Sequence, residues 1–143
     1  MTLFARGRRW FAAGCITTIV VAGLHTLGNT VPGPPDPALD RVESAMRGFT
    51  VPLGMGMSPS VWDIDRCLVF TMSICLVGIG ALGIAVGSSP EVSPGVMTRV
   101  AVVMTALSAA LAMLSFVYRI PPPLISFVVT TILFAIASVA TKR

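Results

Sequence analysis

The groups able to do chemistry in this chain are few: its single histidine, His25, and the run Trp62-Asp63-Ile64-Asp65-Arg66. An imidazole donates and accepts hydrogen bonds, or supplies one axial ligand to a pigment. An indole flanked by two carboxylates and a guanidinium suits a shallow polar pocket or a docking surface. His25, Trp62, Asp63 and Arg66 are therefore the candidate ligand- or partner-binding residues. The structural alternative is that His25 satisfies carbonyls at a helix end and Arg66 pairs with an aspartate.

No catalytic or metal-binding set is expected. One histidine cannot give both axial ligands of a haem, and no His/Cys/carboxylate cluster has metal-site spacing. Cys15, Cys67 and Cys75 lack the Cys-x-x-Cys spacing of a redox dithiol and read as small buried hydrophobes. There is no nucleophile elbow, zinc-protease helix or phosphate loop. The stretch GIGALG matches Gly-x-Gly-x-x-Gly only in letters, because it lies inside a long apolar helix and follows no strand.

The elements that must position these groups are membrane spans. At 55% hydrophobic and 11% charged residues, with mean hydropathy +0.88, the chain has too little polar surface for a water-soluble globule of 143 residues. The net charge of +4 comes from scattered basic residues, many of them at segment ends, which fits orientation in a bilayer and not nucleic-acid binding. Apolar runs long enough to cross a hydrocarbon core, which takes about 20 helical residues, cover 10–27, 68–87, 96–117 and 123–140. The first follows Arg6, Arg8 and Arg9 as a signal peptide would, but its length and weak cleavage pattern favour a retained span.

Between the first two spans, Pro32, Pro34 and Pro35 enforce an extended connector. Asp36-Pro37 then opens a helix over about 37–48, with Leu39, Val42, Met46 and Phe49 on one face and Asp40, Arg41, Glu43 and Arg47 on the other. This short amphipathic helix can lie on the membrane, cap the bundle as a lid, or dock on a partner. Thr50 to Met57 reads as a flexible apolar connector. Either Ser58-Pro59 or Ser60 with Asp63 begins the second spanning helix.

Gly78, Gly80, Gly83 and Gly87 form the expected helix-packing surface of that span, and Ala106, Ser108, Ala109, Ala110 and Ala112 offer another on the third. Pro121, Pro122 and Pro123 stiffen the last turn. The central parts of the spans hold no ionisable group, which argues against proton-coupled transport. Orientation follows from basic residues. With both ends cytoplasmic, Arg6, Arg8, Arg9, Arg99, Lys142 and Arg143 lie inside, and every acid except Glu91 lies outside.

The segments GLHTLG and LGMGMSPSVWDIDRCLVF, with the amphipathic stretch around Met46 between them, resemble a family of small bacterial four-helix integral membrane proteins. The marks are histidine at the first-helix exit and Ser60-x-Trp62-Asp63 before the second; more distantly the chain is similar to DoxX-like proteins. Cys67 stands where that pattern often carries glycine. The resemblance implies a four-helix fold and no defined activity.

The expected fold is all-α: one integral membrane domain over 1–143, a four-transmembrane-helix bundle with a short amphipathic helix between helices 1 and 2. The expected role is a non-catalytic accessory or structural subunit packed against a larger membrane complex of respiratory or photosynthetic type. The alternative is a redox-associated protein binding a lipophile, quinone or pigment in an outward-facing pocket. No cofactor is expected, although a lipid, quinone or pigment contact suits the outer residues. The expected partners are membrane lipids and other integral membrane subunits, in a bacterial inner membrane.

Overall fold

The computed structural model describes residues 3–141. Five helices follow one another: α1 (Leu3–Thr30), α2 (Pro37–Gly48), α3 (Val61–Ser88), α4 (Pro94–Val117) and α5 (Pro121–Thr141). All but α2 are long and apolar enough to cross a membrane. The protein is thus an all-α, four-span integral membrane protein with the amphipathic helix in its first long loop. Lys142 and Arg143, counted above among the inside charges, lie outside the described residues.

Local chemistry sets the helix ends. Asp36 accepts a hydrogen bond from the Ala38 amide at 2.8 Å, with Pro37 as the first helical residue of α2. Ser93 and Pro94 open α4 in the same way. The three prolines at 121–123 fall inside the first turn of α5, not before it; the missing amides are ones a helix start leaves unbonded anyway. The exit of α4 is a Schellman turn, in which Ile120 N donates to Ser115 O at 2.9 Å and Arg119 N to Phe116 O at 3.1 Å. It places Arg119 at φ +55°, where glycine is usual.

The segment expected to be a flexible connector is a hydrogen-bonded hairpin. Val51 N donates to Pro59 O, Leu53 N to Met57 O and Val61 N to Phe49 O, all between 2.9 and 3.1 Å. Gly54 and Gly56 turn it at φ +85° and +76°, with Met55 between them at +51° and 91% exposed.

The chain divides into two compact units, one formed by the chain up to Ala22 and from Leu76 onward, the other by Gly23–Cys75. In the first, α4 and α5 pack along a stripe of Met97, Ala101, Ser108, Ala112 and Ser115 on α4. Its core joins Phe11, Cys15, Met97, Ala101, Phe134 and Ala137, with the Phe11 and Phe134 rings tilted at 5.4 Å between centroids. Ser108 and Ala112 are buried there, whereas Ala106, Ala109 and Ala110 face outward.

Small residues allow this packing. Gly7 lies against Thr141, which brings the start of α1 and the end of α5 to one side. Gly14 lies under the Phe134 ring, where a built Cβ would meet a ring carbon at 2.6 Å. The expectation of three buried cysteines fails in part: Cys15 is buried, but Cys67 and Cys75 are exposed, and all three are free thiols. Lipid solvates a thiol without any protein contact, so apolar surroundings did not imply a place in the protein core.

Candidate functional site

Arginine side chains bind backbone carbonyls in both units. In the first, an Arg8 guanidinium N–H donates to Ser89 O at 2.7 Å and Val92 O at 3.1 Å, beyond the last turn of α3. In the second, Arg66 in the first turns of α3 donates to the carbonyl of Asn29, near the end of α1. Arg66 meets the negative end of the α1 dipole and satisfies a carbonyl that α1 itself cannot, whereas Arg8 ties together two carbonyls of the turn between α3 and α4.

Arg66 does more than cap. Its guanidinium carbon lies 4.1 Å from the centroid of the Trp62 ring, and that of Arg47, from α2, lies 4.2 Å from it. Arg47 is itself held by Glu43 Oε1 at 2.7 Å. Trp62 is thereby shared by two cations, and the one from Arg47 ties α2 to α3 through the ring. Among the described residues Arg66 has no aspartate partner; its hydrogen bond goes to backbone.

Asp63 is committed to structure. Its Oδ2 accepts from Ser60 N at 3.0 Å and Ser60 Oγ at 2.6 Å, and Ser60 Oγ accepts from Asp63 N at 3.1 Å. This is a reciprocal capping box, and it decides between the two candidate starts of the helix in favour of Ser60. Asp65 is exposed.

His25 lies apart from that cluster in its bonding. Its ring Nε2 is buried with no hydrogen-bond partner among the described residues, while its backbone carbonyl accepts from Asn29 Nδ2 at 2.7 Å. Through Nε2 the ring therefore does not serve helix-end carbonyls. One residue on, Thr26 Oγ1 donates to Ser73 Oγ at 2.9 Å, and Ser73 Oγ donates to Val69 O at 3.2 Å. The pairing of Glu43 with Arg47 is the one their four-residue spacing allows, but the hydroxyl bridge between α1 and α3 was not foreseen, and neither were the roles of Arg8 and Asn29 or the contact of Arg47 with Trp62. The signal for that contact was the position of Arg47 on the polar face of an amphipathic helix that precedes the Trp62-bearing helix start.

The packing glycines divide. A Cβ on Gly80 would meet Ile19 Cγ1 at 2.6 Å and Cys15 O at 2.9 Å; one on Gly83 would meet Cys15 Sγ at 2.5 Å; one on Gly87 would meet Phe11 Cδ1 at 3.1 Å. Gly78 has nothing within 4 Å and does not belong to this surface. Two residues along a helix turn it by about 200°, which sets Gly78 on the opposite side from Gly80.

In the first unit a cavity of about 20 Å³ between Thr18, Leu76, Ser108, Phe127, Thr130 and Phe134 has room for a water-sized group and none for a quinone ring. The hydroxyls of Thr18, Ser108 and Thr130 each donate to a carbonyl four residues back in their own helix. Among the described residues no three His, Cys, Asp or Glu side chains converge as a metal site would require. No family model, curated protein or solved structure matches the chain.

Proposed function

We propose that this small integral membrane protein is a non-catalytic accessory or structural subunit that packs against a larger complex, of respiratory or photosynthetic type, in a bacterial inner membrane. The observation that carries this reading is α2. It is amphipathic, yet none of its residues is buried. Leu39 and Val42 are 60% and 55% exposed, and Phe49 at its end is 65% exposed. The compact unit that contains α2, Gly23–Cys75, leaves that face uncovered. A helix adapted to a lipid surface carries an excess of Lys and Arg; here Asp40 and Glu43 balance Arg41 and Arg47. A protein partner is the occupant that suits this composition. Arg6, Arg8, Arg9 and Arg99 favour cytoplasmic termini and an exterior α2.

Extraction from the native membrane in mild detergent tests the proposal. The wild-type chain is expected to co-purify with integral subunits in fixed stoichiometry, and Leu39→Glu/Val42→Glu to lose them while keeping its helicity. A second reading, binding of a quinone, pigment or other lipophile near the outer surface, is supported by the unpartnered Nε2 of His25. An isolated monomer carrying such a molecule, lost in His25→Ala, would replace the first reading with the second.

A further inference from the structure

The cytoplasmic-type end of α1 carries a feature that neither the core nor the outer cluster uses. Arg6, Arg9, Trp10 and Ala13 line one open groove along the helix flank. At about 3.6 residues per turn these positions share a face, and the same face continues through Ile16 and Val20, which are 53% and 52% exposed. Arg6 and Arg9 are both exposed, and among the described residues neither is paired with a carboxylate. Arg8, between them in sequence, turns the other way to the carbonyls of Ser89 and Val92. The three arginines therefore do different work: one ties the turn between α3 and α4, and two are left together on the flank.

We propose that this flank is a binding site for one anionic phospholipid, its phosphate held by Arg6 and Arg9 and one acyl chain laid over Ala13, Ile16 and Val20. Guanidinium groups match phosphate oxygens in a planar, two-pronged geometry. Tryptophan settles at the headgroup level of a bilayer, so Trp10 marks the depth. Arg6 stands four residues, about 6 Å, farther toward water, where phosphates lie, and the Trp10 indole N–H is a third donor. Below Trp10 the face is apolar except at Thr17, whose hydroxyl donates to Ala13 O at 2.9 Å within its own helix; an acyl chain would use such a surface and a free phosphate would not. Two cations without a carboxylate select a net anionic headgroup over a zwitterionic one. The site does not depend on the accessory-subunit role, since it lies on α1 and not on α2.

Native mass spectrometry of the purified full-length protein, in mild detergent with equimolar phosphatidylglycerol and phosphatidylcholine, tests this. The wild type is expected to retain one phosphatidylglycerol with about tenfold preference. Arg6→Gln/Arg9→Gln should bring that preference close to unity. Arg6→Lys/Arg9→Lys keeps the charges that direct insertion and should still lose at least threefold, because ammonium groups lack the two-pronged geometry. Ala13→Phe, which fills the groove floor without altering charge, should weaken retention to a similar extent, and circular dichroism checks that each variant remains helical. Equal retention of the two lipids by the wild type, or unchanged preference in all three helical variants, overturns the proposal. Displacement of the lipid by millimolar inorganic phosphate also overturns it and assigns the groove to a free anion.

Discussion

Replacing Gly83 by alanine adds one methyl group at a point where α3 and α1 leave no space for it. The built Cβ lies 2.5 Å from Cys15 Sγ, while the next contacts, Cys15 Cβ and Phe11 Cε1, are both at an ordinary 3.7 Å. One atom therefore creates almost the whole conflict. Overpacking of this kind costs about 1–3 kcal/mol. Gly78→Ala is the internal control: its Cβ meets nothing within 4 Å, so it should be neutral or stabilise by up to about 1 kcal/mol through helix propensity. Gly80→Ala should be the worst of the three, because Cys15 O at 2.9 Å is backbone and cannot rotate away. Removing the obstructing sulfur should rescue Gly83→Ala. In a double-mutant cycle with Cys15→Ala, the two changes should couple favourably by at least about 1 kcal/mol. The assay is reversible unfolding of the purified protein in mixed micelles, with denaturing detergent titrated against far-ultraviolet circular dichroism. Equal stability of the Gly78, Gly80 and Gly83 variants, or additive behaviour in the cycle, would refute the claim that glycine is needed for close approach of these helices.

Other substitutions probe the polar features in the same assay. Arg66→Ala removes the hydrogen bond to the Asn29 carbonyl and the contact with Trp62; a charge-assisted bond of about 1.5–3 kcal/mol, discounted for partial exposure, sets an expected loss of roughly 1–2 kcal/mol, with a smaller loss for Arg66→Lys. Ser60→Ala dismantles the capping box with Asp63 and should cost about 0.5–2 kcal/mol; no change would mean that water replaces the cap fully. Arg119→Gly relieves a left-handed backbone at φ +55° and should stabilise by about 1 kcal/mol, whereas Gly56→Ala, at φ +76°, should destabilise by a similar amount.

Hydropathy and punctuation made the helices legible. Asp36-Pro37 and Ser93-Pro94 mark starts that the structure uses, and Leu39, Val42 and Phe49 mark the apolar face of α2. Inside the spans the same tools lose power. In lipid the packed and outward faces are both apolar, so periodicity does not say that Ala101 is buried and Val103 exposed, or that Cys67 and Cys75 turn away from the protein. Steric size carries that information: Gly80, Gly83 and Gly87 follow three- and four-residue steps on one face, and Gly78 breaks the pattern. The hairpin after α2 was hidden because its ladder is short and its turn depends on positive φ at Gly54, Met55 and Gly56. The outer residues were found as types and not as roles. Asp63 serves a cap, Arg66 serves a carbonyl and a ring, and His25 alone keeps an unused ring atom. Which arginine meets which backbone carbonyl depends on contacts distant in sequence, such as Arg8 with Val92.

The proposed accessory role requires another protein to cover the exposed apolar face of α2. A photoreactive amino acid at Val42, which is 55% exposed, reports this in intact membranes of the native host. Irradiation should yield one discrete adduct with an integral membrane protein, lost when Leu39→Glu is added. Adducts with lipid alone would contradict the claim and leave α2 as a helix resting on the bilayer surface.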